Sequence, residues 1–388
     1  MELYIHIPFC VKKCGYCDFL SMVCRESDRK RYVDALCREI EYYGKIYGME
    51  RIDTIYIGGG TPSVLGADAL VRILEQVKEK FYVNLHAEVT IELNPATIEK
   101  EGLHKLKENG VNRLSIGLQS ADNEELKRLG RIHTFEDFLQ VYQDARTAGF
   151  DNINVDLISS LPGQSVADYE KSLDKVIGLL PEHISSYSLI LEEGTPFYRL
   201  YGTHPELLPT EEEDREMYRL TRDRLEEAGY ERYEISNYAR PGFASKHNSG
   251  YWKRIPYLGL GLGASSFLDH ARWKNIDNLK EYLQIWDEQD AVCERETAER
   301  YRREWEELTL QDEMAEYMYL GLRMKEGVTA KAFEEAFGRS LHEVYGGIIA
   351  GLEKDGLLVV DDRDGEGGRI YLTDYGIDVS NYVFGKFI

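Results

Sequence analysis

Tyr4-Ile-His-Ile-Pro-Phe-Cys10-Val-Lys-Lys-Cys14-Gly-Tyr16-Cys17-Asp-Phe19 is the stretch from which the rest of the chain is read. Its three cysteines are spaced C-x3-C-x2-C. Each thiolate can hold one iron of a [4Fe-4S] cube, and the spacing departs from the C-x2-C patterns of ferredoxins and zinc sites. The fourth iron then lacks a protein ligand, as a cluster requires if it is to bind a small molecule and pass it an electron. Three structural thiols in an N-terminal loop are the plainer reading, and the motifs downstream argue against it.

Outward from this run, strand-like segments alternate with amphipathic helical ones to about residue 190. Strand Leu3 to Pro8 precedes a helix near Asp28 to Tyr47. Strand Thr54 to Ile57, ending in Gly58-Gly-Gly60-Thr61-Pro, precedes a helix near Ala67 to Phe81. Strands Ala87 to Leu93, Arg113 to Gln119, Ile153 to Ile158 and His183 to Leu191 follow, with helices between them. Such a period implies parallel strands with right-handed helical crossovers. A partial barrel of six units and a doubly wound open sheet share these local signals.

The polar residues that stand out lie at or just past the C-terminal ends of these strands, where α/β barrels assemble their sites. Gly58 to Gly60 permit close backbone approach to a ligand, although a triple glycine alone is equally a tight turn. Glu92, Gln119 and Asp156 close their strands, and Arg131 follows in a Leu-Gly-Arg-Ile-His turn. Singly, a carboxylate at a strand end reads as a solvated loop residue. Several on successive units fit one polar ligand better, with carboxylates accepting from hydroxyls and a guanidinium pairing with a carboxylate.

The cysteine run, with an aromatic Tyr16 before its third cysteine, resembles the signature of the radical S-adenosylmethionine (SAM) superfamily. That resemblance implies the partial (β/α)6 TIM-like barrel. It also implies a [4Fe-4S] cluster whose open iron is chelated by SAM. Asp156-Leu-Ile-Ser-Ser-Leu-Pro-Gly-Gln164 and Tyr187-Ser-Leu-Ile-Leu-Glu-Glu-Gly-Thr-Pro-Phe197 are similar to the HemN/HemW branch of the superfamily. By that resemblance Cys10, Cys14 and Cys17 ligate the cluster, and Tyr4 and Tyr16 line the cofactor. Gly60 and Thr61 meet its methionyl end, and Glu92, Gln119, Arg131 and Asp156 hold the rest.

Ser245-Lys-His247-Asn-Ser-Gly-Tyr-Trp252 offers an imidazole beside flat apolar rings, as a heme iron and its macrocycle would use. A lone histidine is more often a hydrogen-bonded core or surface residue. H-N-x-x-Y-W nevertheless resembles the HemW signature, which implies His247 as a heme ligand. Gly259 to Ser266 does not fit a dinucleotide fingerprint and is expected to pack against the cofactor. The coproporphyrinogen III oxidases of this branch carry a further cysteine two residues after the third, and an N-terminal extension. Here Phe19 occupies that position and only nine residues precede Cys10. The resemblance thus implies a heme chaperone that passes heme to apo-hemoproteins and draws electrons from a flavodoxin or ferredoxin, with a homodimer possible. The alternatives are a radical SAM enzyme decarboxylating or methylating a tetrapyrrole, and a scaffold whose cluster only supports folding. Whether SAM is turned over is left open.

At 388 residues the chain has room for a barrel and a smaller domain. The expected division is 1-284 for the barrel and its extension, 285-310 for a charged helical connector, and 311-388 for a winged-helix-like α+β domain. Net charge of -22 argues against a nucleic-acid partner. From Val328 onward, eleven acidic against six basic residues extend that argument to the winged helix. With no leader-like or 18-residue apolar run, a cytoplasmic protein is expected, not an integral membrane one. Cys24, Cys37 and Cys293 have no motif spacing and read as bystander thiols.

Overall fold

In the computed structural model, residues 1–287, 300–361 and 368–388 are described. Six strands run parallel and in sequence order: β1 (Glu2–Ile7), β2 (Arg51–Gly59), β3 (Tyr82–Leu93), β4 (Arg113–Gln119), β5 (Ile153–Ser159) and β6 (His183–Ser188). Helices Glu26–Tyr47, Ala67–Lys80, Lys100–Glu108, Phe135–Thr147 and Val166–Gly178 make the crossovers. Capping boxes start two of them, Thr134 with Asp137 and Ser165 with Asp168, each satisfying orphan amides reciprocally.

The strands are not uniformly apolar; they alternate. Leu3, Ile5 and Ile7 of β1, with Ile55 and Ile57 of β2 and Val89 and Ile91 of β3, belong to one core with the helices. The intervening residues are polar, and the register stacks Glu2 beside Thr54 and Thr54 beside Glu88. Tyr4 lies beside Tyr56, Tyr56 beside Thr90 and Thr90 beside Arg113. A period of two places one set on the helices and the other on the interior of the curled sheet. The helix-facing layer supplies the hydrophobic stabilisation; the interior is left free for polar chemistry.

Beyond β6 the chain departs from a simple six-unit repeat. Strand β7 (Glu231–Arg232) pairs antiparallel with β8 (Asn237–Ala239), which adds antiparallel to β6. After a short helix, Lys246–Trp252, strand β9 (Tyr257–Leu260) pairs in parallel with β1. Strands β10 (Ser265–Leu268), β11 (Ala271–Asn275) and β12 (Arg302–Glu307) continue antiparallel, giving an open mixed sheet of twelve strands. The six expected parallel strands are therefore its centre.

The helical connector expected at 285-310 is corrected over its described part. Helix Leu279–Asp287 ends there, residues 288–299 lie outside the described residues along with Cys293, and Arg302–Glu307 is a strand. Trp305 stacks on Trp273 of β11 at 5.3 Å, and the Arg302 guanidinium lies 4.3 Å from the Trp273 ring centre. These cross-strand contacts override the helical propensity of Glu and Arg, and the charged, exposed face suits a sheet edge.

A second core lies in the C-terminal part, among Met318, Phe333, Ile349, Ile370 and Val383. Helix Leu310–Gly321, strand Val328–Thr329, helices Ala330–Phe337 and Leu341–Lys354, and strands Leu358–Asp361 and Arg369–Leu372 follow one another in the order a winged helix requires. The three strands form a small antiparallel sheet. Among the described residues, no helix is long and apolar enough to cross a membrane.

Candidate functional site

The cysteine loop leaves β1 and returns beside it. Met22 N–H donates to the Pro8 carbonyl at 2.8 Å and Cys10 N–H to the Met22 carbonyl at 3.0 Å, which pins both ends. Gly15 N–H donates to the Leu129 carbonyl and its own carbonyl accepts from Phe197 N–H at 2.9 Å. A Cβ on Gly15 would stand 2.6 Å from the Phe197 ring, so only glycine allows this seating.

Three thiols result around one cavity. Thr61 Oγ1 lies 3.6 Å from Cys10 Sγ, and Arg131 Nη1 lies 3.7 Å from Cys14 Sγ. Among the described residues no three His, Cys, Asp or Glu groups converge tightly enough for a single ion. Sulfurs spaced around a shared cavity suit a polynuclear cluster, in which each thiolate takes a different iron. A buried guanidinium beside Cys14 also suits an anionic group. Burial opposes the Arg131 charge, yet Tyr16 and Cys14 hold its pKa above the ordinary value.

The glycine run after β2 forms the next wall. Gly59 has φ of +113°, and a Cβ there would stand 2.5 Å from the His6 ring. At Gly60 a Cβ would stand 2.8 Å from the Phe9 carbonyl oxygen and 3.1 Å from Cys10 Sγ. The glycines are therefore required by the packing of the cysteine loop itself. Glu92 stands beside them, accepting from Gly59 N–H at 3.0 Å and from Tyr56 Oη–H at 2.8 Å. Burial pushes its pKa up to about 7, against the two donors.

Opposite Glu92, Asp156 accepts from Asn154 Nδ2 at 2.8 Å and Ser115 Oγ at 3.2 Å, and burial raises its pKa. Gln119 adopts φ of +74°, left-handed for a non-glycine residue, where the β4–β5 register slips. Such strain concentrates at functional sites. Gly130, left-handed at the end of helix Asn123–Leu129, turns the chain so that Arg131 Nη2 donates to the Gly117 carbonyl at 2.6 Å.

Ten of the twelve candidate residues line this one cavity: Cys10, Cys14, Tyr16, Cys17, Gly60, Thr61, Glu92, Gln119, Arg131 and Asp156. Tyr4 lines an adjoining cleft of about 590 Å³ that shares Phe19, Gly59 and Glu92 with the cavity. Tyr4 Oη–H donates to His6 Nδ1 at 2.9 Å, because His6 Nε2 must carry the proton given to the Leu20 carbonyl at 2.8 Å.

His247 lines neither space. It is 0% exposed, with Nδ1 2.7 Å from Thr54 Oγ1 and Nε2 2.9 Å from Tyr251 Oη. Its ring stacks on Tyr56 at 5.1 Å. Burial, then the Arg113 charge, push its pKa down to about 3, while burial pushes Glu2 up to about 8. The 3.9 Å Glu2–His247 approach thus joins two neutral groups at pH 7 rather than an ion pair. Both ring nitrogens have partners inside the barrel. The later residues of the same motif, Tyr251 and Trp252, do face the cleft, as do Gly263 to Ser265 of the glycine-rich segment.

Some lining residues escaped the sequence reading. Ser115 and Gly117 alternate with Gln119 on β4 and were reachable by the period of two. Arg113 lines neither space; it is 1% exposed, its Nε and Nη1 lack hydrogen-bond partners, and its charge is opposite to those of Glu92 and Asp156. Lys274, in the cleft wall, sits on a strand whose pairing no local pattern announces.

The Radical SAM superfamily profile matches residues 4–176, and the HemN C-terminal domain profile matches residues 308–379. The chain is similar to the heme chaperone HemW of Lactococcus lactis, 37% identical over 385 residues covering 99% of this chain and 96% of that one. It is similar to the heme chaperone HemW of Bacillus subtilis, at 36% over 386 residues, covering 99% and 98%. A mitochondrial radical SAM domain-containing protein 1 of Danio rerio is 34% identical over 380 residues, covering 93% and 82%. The solved structure of coproporphyrinogen III oxidase HemN from Escherichia coli, a radical SAM enzyme, is similar with a TM-score of 0.83 and 26% identity, covering 100% of this chain and 89% of that one.

Proposed function

We propose a heme-delivery function for this chain, which belongs to the HemW family within the radical SAM superfamily. The protein binds heme and hands it to apo-hemoproteins, and carries a SAM-bound [4Fe-4S] cluster in the cavity of Cys10, Cys14 and Cys17. One observation carries this reading: the thiol cavity and an aromatic-walled cleft meet along Phe19, Gly59 and Glu92, so two ligands would lie edge to edge.

When bound, the cluster supplies an open iron for the methionyl group of SAM and an electron, drawn from a flavodoxin- or ferredoxin-type donor. The chain's own residues do the rest. The Gly59-Gly60 backbone lets a ligand approach where side chains would block it. As carboxylates, Glu92 and Asp156 would accept hydrogen bonds from ribose hydroxyls, and Arg131 would balance the charge of thiolates and carboxylate. Burial of these groups strengthens each interaction by excluding water.

Anaerobic heme titration of the cluster-reconstituted protein, followed by mixing with an apo-hemoprotein, tests the function. Stoichiometric binding, then movement of the Soret band to the acceptor, is the expected outcome. Absence of heme binding, with a tetrapyrrole consumed and 5′-deoxyadenosine formed in step, would establish the enzyme reading instead.

A further inference from the structure

The cleft beside the cluster cavity combines aromatic walls with charged groups of both signs. Tyr4, Phe19, Tyr251, Trp252, Tyr257 and Phe267 give it flat apolar walls, and its volume of about 590 Å³ lies in the range of small-molecule sites. Asp18 lines it, as does Glu92, which it shares with the cluster cavity; Arg254, Arg272 and Lys274 line it too, with Leu320 reaching in from the C-terminal helix Leu310–Gly321.

The two arginines are held but not used up. Arg254 Nε donates to Glu316 at 3.1 Å, and its Nη2 lies 3.5 Å from Glu313. The Arg254 side chain is 9% exposed, and this buried Nη2 has no hydrogen-bond partner. Arg272 Nε lies 2.8 Å from Glu316, again without hydrogen-bond geometry. Both guanidinium groups stack over the Phe267 ring, at 4.9 and 5.1 Å. Among the described residues Lys274 makes no ion pair, and the buried indole N–H of Trp252 is likewise unpartnered. Buried donors without acceptors cost free energy that an incoming acceptor recovers.

From this arrangement we infer that the cleft, rather than His247, seats the heme, with its propionates on Lys274 and on Arg254 and Arg272 in competition with Glu313 and Glu316. The inference rests on the heme-delivery reading and adds the site. His247 then acts as a positioning residue: its Nε2 holds the Tyr251 hydroxyl, and Tyr251 packs edge-on against Tyr257 at 4.6 Å in the cleft wall. Because Glu313 and Glu316 belong to the C-terminal helix, propionate binding loosens that domain's grip on β11. Heme loading and C-terminal docking are thereby coupled.

The test uses the full, cluster-reconstituted chain and heme, with heme dimethyl ester as the probe lacking propionate charge. Lys274→Glu should weaken heme about tenfold or more and leave the ester within about twofold. Glu316→Gln should tighten heme several-fold and expose the C-terminal domain to limited proteolysis. Unchanged heme affinity in both variants, with wild type binding heme, overturns the site while the heme reading stands. Loss of heme, and of any imidazole-ligand spectrum, in His247→Phe with Lys274→Glu unaffected also overturns it. Failure of wild type to bind heme removes the reading on which the inference rests.

Discussion

The mouth and the floor of the barrel are built from the same kinds of side chain and come to opposite ends. At the mouth stand Glu92, Asp156, Arg131 and three thiols; at the floor, Glu2, Glu88, Thr54 and His247. The floor set is buried and the mouth set half-buried, and desolvation raises the carboxyl pKa at Glu92 and at Glu2 alike. What differs is where their hydrogen-bonding capacity goes. At the floor the groups turn on one another: Glu88 takes the Lys246 and His247 amides at 3.0 and 3.1 Å, and His247 spends both nitrogens. At the mouth they surround a cavity, and strained Gln119 and left-handed Gly59 hold its walls. Residue type therefore does not separate a site from a core; unspent capacity beside space does.

Four substitutions separate the mouth from the floor. Cys14→Ala should abolish the cluster, measured as iron per chain and visible absorbance after anaerobic reconstitution, with the thermal midpoint of the apo-protein little changed. Full iron retention would end the three-thiolate assignment. His247→Ala, by contrast, should keep the iron and lose stability, on the order of 3–5 kcal/mol, from a vacated ring site and two stranded hydroxyls. A denaturant midpoint equal to wild type would show that the floor is not the closed core described.

A third, smaller effect belongs to Glu92→Gln. SAM affinity should fall roughly 10- to 100-fold, as for a lost charged hydrogen bond. Wild-type affinity should also rise with pH across about 7, where Glu92 ionises, and the variant's should stay flat; parallel pH profiles would remove Glu92 from the ligand set. The smallest effect is expected at Glu2. Its folded pKa of about 8 lies above the unfolded value, so the folded chain keeps a proton that the unfolded chain releases. That contribution is full below about pH 4 and is lost as pH rises toward 8. Glu2→Gln should therefore melt about as wild type at pH 5 and higher at pH 8.5, by on the order of 1–3 kcal/mol. Equal melting at both pH values would place an ionised, solvated carboxylate at the floor.

The alternation of six strands and helices, the cysteine loop, and the polar residues of the mouth are legible in the sequence. Those signals are local: a period of two or 3.6, a capping box, a glycine that no other residue could replace, three thiols within eight residues. Ten of the twelve candidate residues meet because parallel strands put their C-terminal ends together, a consequence of topology alone. The surroundings of His247 are set by folding, since the partners of its imidazole are Thr54 and Tyr251, 193 and four residues away. Folding alone turned Arg302–Glu307 from helix to strand, through Trp273 and Trp305, and brought Glu316 to Arg254 and Arg272. Periodicity reports the face a residue occupies; what stands across that face is set by long-range packing, which no window of sequence contains.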